Sequence, residues 1–445
     1  MDDYRRVADE VAAEIAAGRL RPGDRLPTQR EFARRRGIAG STAARVYKEL
    51  IRRGLTVGEV GRGTFVRAAV PLPGPALTEP GSSTVDLELN HAFVPEQAGL
   101  QAESIAALLR PDVLESSMRP VGAAGTAQAR GRVADLLARP GWRPAPEQVL
   151  FAGNGRQAIA AAMAALASPG ARIGVEELTY PVVKAIAGRL GVTLVPLAVD
   201  ASGLVPESVE SAARKTPLDA VYLQPTLHNP LSLTMTASRK AELADLLRRL
   251  DLPAIEDAVW SFLRPDLLPL AALAPERTIL VDSLSKRLAP GLTVGFVVAP
   301  GPLAASVAAA LRSGAWTPMR FALDAATRWV GDGVAGTVAE AKRHQAVARQ
   351  RLAAEHLGEF AVRADPHSFS CWWELPPPWR ADTFVAAAAR HGIAVTPAAA
   401  FAVGRHRAPN AVRLGLASPS AETLARALAT LAALARATPD DLLVE

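Results

Sequence analysis

Residues 281–291 read VDSLSKRLAPG and place Lys286 just past an apolar run, Thr278–Ser283, that predicts a β-strand. Two upstream segments stand at nearly the same interval. AIEDAVW carries Asp257, 29 residues before Lys286, and TLHNP carries Asn229, 28 residues before Asp257. Asp257 and Lys286 each close an apolar strand, as residues at the C-terminal edge of a parallel sheet do. Around these segments helical and strand-like stretches alternate: helices Gln157–Leu166, Pro181–Leu190 and Ala237–Leu250, and strands Arg172–Val175, Thr193–Pro196, Ala220–Gln224, Pro253–Glu256 and Gly295–Ala299. That alternation predicts an α/β domain with a mostly parallel sheet covered by helices. A second, smaller α/β lobe is expected over about 335–440, and no internal repeat is visible.

An amine, a carboxylate and an amide on successive strand ends suit one cofactor. Pyridoxal phosphate (PLP) needs a lysine for its Schiff base, a carboxylate beside its pyridinium nitrogen and donors for its phenolate oxygen. Lys286, Asp257 and Asn229 supply these in turn. Singly, each has an ordinary alternative: a surface lysine, a helix-capping aspartate, an Asx turn before Pro230.

The N-terminal 67 residues read differently. They hold 15 Lys and Arg against 9 Asp and Glu, which accounts for the chain's whole net charge of +6; the rest is balanced. A local basic excess points to a polyanion partner. Val7, Val11 and Ile15 make an apolar stripe on a helix over residues 3–17. Thr28, with Glu31 three residues on, predicts a capping box opening a helix that ends at Gly37. Ser41 or Thr42 opens a third helix to about Arg53, with Ala43, Val46, Tyr47 and Leu50 inward and Ser41, Arg45, Lys48 and Arg52 outward; Gly54 caps it. Two short strands, Leu55–Gly58 and Thr64–Arg67, flank the Gly61-Arg62-Gly63 turn. This is a winged helix-turn-helix whose third helix enters the major groove of double-stranded DNA. Ser41, Thr42 and Arg45 face bases or phosphates, Arg30 approaches from the second helix, and Arg62, Gly63 and Thr64 form the wing tip. The alternative is a solvated basic face.

Residues 68–84, with four Pro and two Gly, predict a linker between a DNA-binding domain at 1–67 and a cofactor and dimerisation domain at 85–445. The single cysteine, Cys371, excludes an intrachain disulfide and a thiolate metal cluster, and no metal site is expected. The N-terminus lacks an apolar leader and no apolar run is long enough to span a bilayer, so a cytoplasmic protein is expected.

The stretch from IAAGRLRPGDRLPTQREF to GLTVGEVGRGTF resembles the GntR family of regulators nearly throughout. Ala39 and Gly40 depart from it, standing where relatives carry Ser or Thr followed by Arg. Residues from about 85 to 440 resemble fold-type I aminotransferases, and the whole chain resembles the MocR subfamily of GntR-type regulators. The resemblance implies further roles. Tyr180 stacks on the cofactor ring, Gly155 and Arg156 open the helix that holds the phosphate, Ser283 also contacts the phosphate, and Arg413 clamps an effector α-carboxylate. It also implies a head-to-tail homodimer with exchanged DNA-binding heads. Two positions depart from the pattern. Thr293 replaces a phosphate-binding arginine, and Val259 and Trp260 stand where a tyrosine is usual. Arg156 is expected to replace the lost cation, with Arg287 as the other candidate. The function expected is a regulator sensing PLP or an amino compound. The alternatives are a PLP-free sensor and an active aminotransferase carrying a DNA-binding head.

Overall fold

The computed structural model describes residues 3–16, 19–20, 23–52, 55–59, 63–66, 84–404 and 408–438. Gly54, Arg62 and nearly all of the expected linker lie outside the described residues.

In the N-terminal segment, α1 (Asp3–Ala16), α2 (Gln29–Arg36) and α3 (Gly40–Arg52) pack around a core of Val7, Val11, Phe32, Val46, Tyr47 and Leu50. The ring of Phe32 meets that of Tyr47 edge-on at 5.3 Å, and the Tyr47 hydroxyl donates to the Pro27 carbonyl. Thr28 caps α2 by accepting from the Glu31 N–H at 3.3 Å. The Glu31 carboxylate goes forward to Arg35, 2.5 Å away, an i,i+4 pairing on the helix surface. Gly37 ends α2 in the left-handed conformation that glycine adopts without strain. Helix α3 begins at Gly40, so Ser41 and Thr42 lie inside its first turn rather than before it. The wing sheet has three strands: β1 (Arg25–Leu26) pairs antiparallel with β3 (Gly63–Val66), which pairs with β2 (Thr56–Glu59). The Gly and Pro flanking Arg25–Leu26 hid β1, since a two-residue strand has no period to read.

The body is built on a seven-stranded sheet of β4 (Val149–Ala152), β5 (Arg172–Glu176), β6 (Thr193–Leu197), β7 (Ala220–Leu223), β8 (Ala254–Asp257), β9 (Thr278–Ser283) and β10 (Gly295–Val298). Its spatial order is β4-β10-β9-β8-β7-β5-β6. Only β10 runs antiparallel to its neighbours. All strands but the edge strand β6 are buried along nearly their whole length, as a sheet covered on both faces requires. Helices α4 (Gly155–Leu166) and α5 (Pro181–Leu190) cover one side, where Ile159, Met163 and Val183 pack on Ile173, Tyr222, Ile255 and Ile279.

The turn α6 (Leu284–Arg287) follows β9 directly. The long helix α7 (Val334–Leu357) leads into a second lobe, a four-stranded antiparallel sheet ordered β11-β12-β14-β13. These strands are β11 (Val362–Arg363), β12 (Ser370–Glu374), β13 (Thr396–Pro397) and β14 (Ala411–Gly415), and α8 (Ala381–Arg390) and α9 (Ala421–Arg436) pack with them. Cys371 sits buried in β12, its thiol pushed up to about 12 by burial, which keeps it protonated and unreactive. Among the described residues no helix is long and apolar enough to cross a membrane, and no group of three His, Cys, Asp or Glu is arranged to hold a metal.

Candidate functional site

The C-terminal ends of β7, β8 and β9 open into one cavity of about 410 Å³. It is lined by Lys286, Asp257, Asn229, Tyr180, Ser283, Gly155, Arg156 and Arg413, so residues far apart in sequence and expected at one site do meet.

Strand β9 ends at Ser283 and delivers Lys286 on α6. The Lys286 amine donates to the Asn90 carbonyl at 2.7 Å and lies 5.2 Å from the centre of the Trp260 ring. Burial pulls its pKa down to about 7, helped by the cations Arg413, Arg156 and Lys342. Near neutrality a large share of this amine is therefore unprotonated and nucleophilic.

Asp257 ends β8 and is 4% exposed. Burial pushes its carboxyl up, and donors from Tyr222, Val259 and Gln224 oppose that rise. Val259 contributes its backbone N–H, 3.2 Å from Oδ1, so the residue lacking a side-chain donor still serves Asp257. Asn229 presents a buried side-chain oxygen with no partner among the described residues. Tyr180 stands at the N-terminus of α5; burial raises its phenol, and the nearby Arg156 cation counters this.

A second corner of the cavity is shaped for an anion. Asn154 caps α4 by accepting the Gln157 N–H at 3.0 Å. A Cβ on Gly155 would sit 3.0 Å from the Ser283 hydroxyl, so glycine keeps this gap open without displacing Ser283. Gly295 passes closer still to the cap residue, since a Cβ there would lie 2.4 Å from the Asn154 carbonyl. Hydroxyls of Ser285 and Thr293 lie 2.8 Å apart. Thr293 thus forms a neutral hydroxyl pair with Ser285, and Arg156 is a cation lining the cavity. Arg287 does not line the cavity. Its guanidinium forms a buried ion pair with Asp282 at 2.7 Å and packs over Phe262, which removes it as a substitute.

Arg413, from the middle of β14, donates to the Glu88 carbonyl and, at 3.1 Å, to the Thr396 hydroxyl. Its Nε has no partner among the described residues, and burial lowers its pKa to about 10. It remains a cation at neutral pH.

Several lining residues escaped the sequence reading. Glu88, Asn90 and His91 come from a segment without helical or strand period, nearly 200 residues from Lys286. His91 is held neutral, pulled down to about 4 by burial and by Lys286. Gln224 and Tyr222 were legible in principle, as polar groups two apart on an otherwise apolar strand.

In the N-terminal segment Ser41, Arg45 and Arg30 are exposed, Thr42, Gly63 and Thr64 half-buried. The Arg45 guanidinium lies 4.0 Å from the centre of the Tyr4 ring, which fixes it over α1. Arg25, missed in the sequence, crosses the wing beside Gly63, where a Cβ would meet its Nε at 2.8 Å. Arg36 is engaged with Glu14 at 2.7 Å and belongs to the internal scaffold.

Residues 3–66 match the family described as bacterial regulatory proteins, gntR family, and residues 116–431 match aminotransferase class I and II. The uncharacterized HTH-type transcriptional regulator YdeF of Bacillus subtilis is 31% identical over 421 residues, which cover 94% of this chain and 90% of that one. The chain belongs to the MocR subfamily of GntR-type transcription regulators. It shares 29% identity over 67% of its length with the pyridoxine biosynthesis regulator PdxR of Corynebacterium glutamicum, covering 66% of that protein. The body of this MocR-type regulator has the aminotransferase fold. An archaeal alanine:glyoxylate aminotransferase superposes with a TM-score of 0.73 at 22% identity, over 80% of this chain and 91% of that one. LysN from Thermus thermophilus gives 0.70 at 23%, over 79% and 92%.

Proposed function

We propose that the body binds PLP at Lys286 and reports an amino-compound effector, or PLP itself, to a DNA-binding head at residues 1–67. The body would be residues 85–445, joined to the head by a linker at 68–84. The observation that carries this reading is the convergence of a half-neutral Lys286, the Asp257 carboxyl and the Asn229 side-chain amide on one cavity. The donor set fits the cofactor. Asp257 pairs with the ring nitrogen, Asn229 meets the phenolate oxygen, and Tyr180 covers the ring. The α4 N-terminus, Ser283 and Arg156 hold the phosphate, with Gly155 leaving it room. When bound, PLP supplies an aldehyde that lysine and effector amines exchange on. Arg413, with its spare Nε, takes the effector carboxylate.

The head reads DNA through Ser41, Thr42 and Arg45 on α3, with Arg30, Arg62, Gly63 and Thr64 around them. Phe93, Leu109, Met118 and Met319 are exposed apolar side chains, which supports self-association as a homodimer, with heads exchanged head-to-tail. An effector shifts DNA binding only through different affinities for the two arrangements of the body. Such a regulator works in the cytoplasm, where its DNA is.

The neutral pair at Thr293 and the apolar Val259 favour a second reading, a PLP-free metabolite sensor. The absorbance spectrum of the purified protein decides between them. A visible band that grows with added PLP and is lost in Lys286→Ala supports the cofactor reading. A spectrum unchanged by PLP refutes it.

A further inference from the structure

Behind Asp257 lies a polar cluster that the cofactor reading leaves unused. Strands β7 and β8 run parallel with Tyr222 beside Ile255 and Leu223 beside Glu256. Side chains alternate, so Tyr222 and Gln224 share the face that Asp257 uses. The Tyr222 hydroxyl donates to Asp257 Oδ2 at 2.6 Å, and Gln224 Nε2 donates to the same oxygen at 2.8 Å. Oδ1 receives the Val259 N–H, and Asp257 lines the cavity. Gln224 is itself fixed. Its side-chain oxygen accepts the backbone N–H of Asn229 at 3.1 Å, and its own backbone N–H donates to the Glu176 carboxylate, 3.2 Å from both oxygens.

We infer that Tyr222 and Gln224 are positioning residues for the cofactor pocket: together they clamp Asp257 as an oriented carboxylate, and Gln224 ties it to Asn229. The inference rests on the PLP reading above. The physical need is plain. A carboxylate this deeply buried has lost its hydration, and without donors it takes up a proton instead. A protonated Asp257 no longer stabilises a cationic ring nitrogen. Two donors on one oxygen also fix the carboxylate plane before any ligand arrives, so no reorganisation is needed on binding. Burial pushes the Tyr222 phenol well above its ordinary range, so it stays a donor at every working pH. The Gln224 bridge adds a coupling. One side chain thus holds the carboxylate meeting the ring nitrogen and the backbone of the residue meeting the phenolate oxygen.

The test uses the full-length protein titrated with PLP and followed by absorbance. Tyr222→Phe and Gln224→Leu are each expected to weaken PLP uptake by about tenfold, the loss of one hydrogen bond to a charged group. Each is also expected to move the pH at which the bound chromophore changes colour, which a merely structural role leaves alone. In an Asp257→Ala background the same substitutions are expected to cost nothing further, because the clamped group is gone. Unchanged affinity and spectrum in both single variants overturn the clamp. So do losses that simply add in the Asp257→Ala background. If Tyr222→Phe does not fold, Gln224→Leu alone decides. Should the unsubstituted protein take up no PLP, the cofactor reading itself fails and carries this inference down with it. PLP uptake that is intact and indifferent to both substitutions sinks the clamp alone.

Discussion

The side-chain nitrogen of Lys342 lies 3.0 Å from the carbonyl oxygen of Lys286. It also donates to the Leu288 carbonyl, so one lysine of α7 caps the turn that carries the other. The last carbonyls of a short helix have no internal partners, and Lys342 supplies them from another element. Lys342 is 1% exposed and burial draws its pKa down to about 7. Lys342→Met keeps the volume and removes a buried amine, so global stability is expected to change by less than about 2 kcal/mol. The Lys286 turn loses its anchor, and PLP uptake is expected to weaken. Thermal unfolding read beside PLP titration checks the pair. A large loss of stability with normal uptake contradicts it.

Lys286 itself sets a pH profile. Its pKa is lowered from the ordinary lysine range to about 7, first by burial and then by Arg413, Arg156 and Lys342. Only the neutral amine attacks an aldehyde, so PLP capture is expected to be slow at low pH, to rise through about 7 and to level off above it. Removing a neighbouring cation, as in Lys342→Met, moves that midpoint upward. Stopped-flow capture across the pH range measures both. A midpoint near that of an exposed lysine rules out the buried, cation-flanked environment.

The order of the chemistry was readable from the chain, and the reasons lie in particular residues. Asp257 and Lys286 follow apolar strands, where period and length are strong signals, Asn229 lies in the loop after a third, and the seven-stranded sheet brings them together. The buried faces of α3 were equally plain, since Ala43, Val46, Tyr47 and Leu50 repeat at helical spacing and are all buried. What failed to show was non-local. Asn90 and His91 enter the cavity from an irregular segment, and Lys342 sits on α7 among small residues without any motif. The partner of Arg287 was invisible too: Asp282 is close in sequence, but only the turn after β9 folds the guanidinium back onto it and away from the cavity.

Arg156 is expected to supply the cation that Thr293 does not. It opens α4 and lines the cavity beside Tyr180. Arg156→Ala is expected to weaken PLP retention by roughly ten- to a hundredfold, as for a charge-assisted contact to a phosphate. Thr293→Arg in that background is expected to restore part of it. Equilibrium dialysis with PLP, and with pyridoxal lacking the phosphate, reads the effect. If Arg156→Ala weakens both ligands equally, the arginine does not act on the phosphate.

The head makes its own prediction through Arg45 and Tyr4. The guanidinium rests on the Tyr4 ring at 4.0 Å, so α1 sets the direction in which this α3 side chain leaves the protein. Arg45→Ala removes a cation from the groove-facing surface. For a phosphate contact, affinity is expected to fall by a similar factor on all sequences and the slope of log affinity against log salt to shrink by about 1. For a guanine contact, discrimination at one base pair is lost instead, worth about 1–3 kcal/mol. Tyr4→Leu keeps an apolar surface under the arginine but removes the ring that holds it, so its effect is expected to be in the same direction and smaller. Binding of the full-length protein to a selected promoter fragment at several salt concentrations separates these outcomes. Neither variant altering affinity or salt slope would mean that Arg45 points to solvent in the complex and that α3 docks by another face.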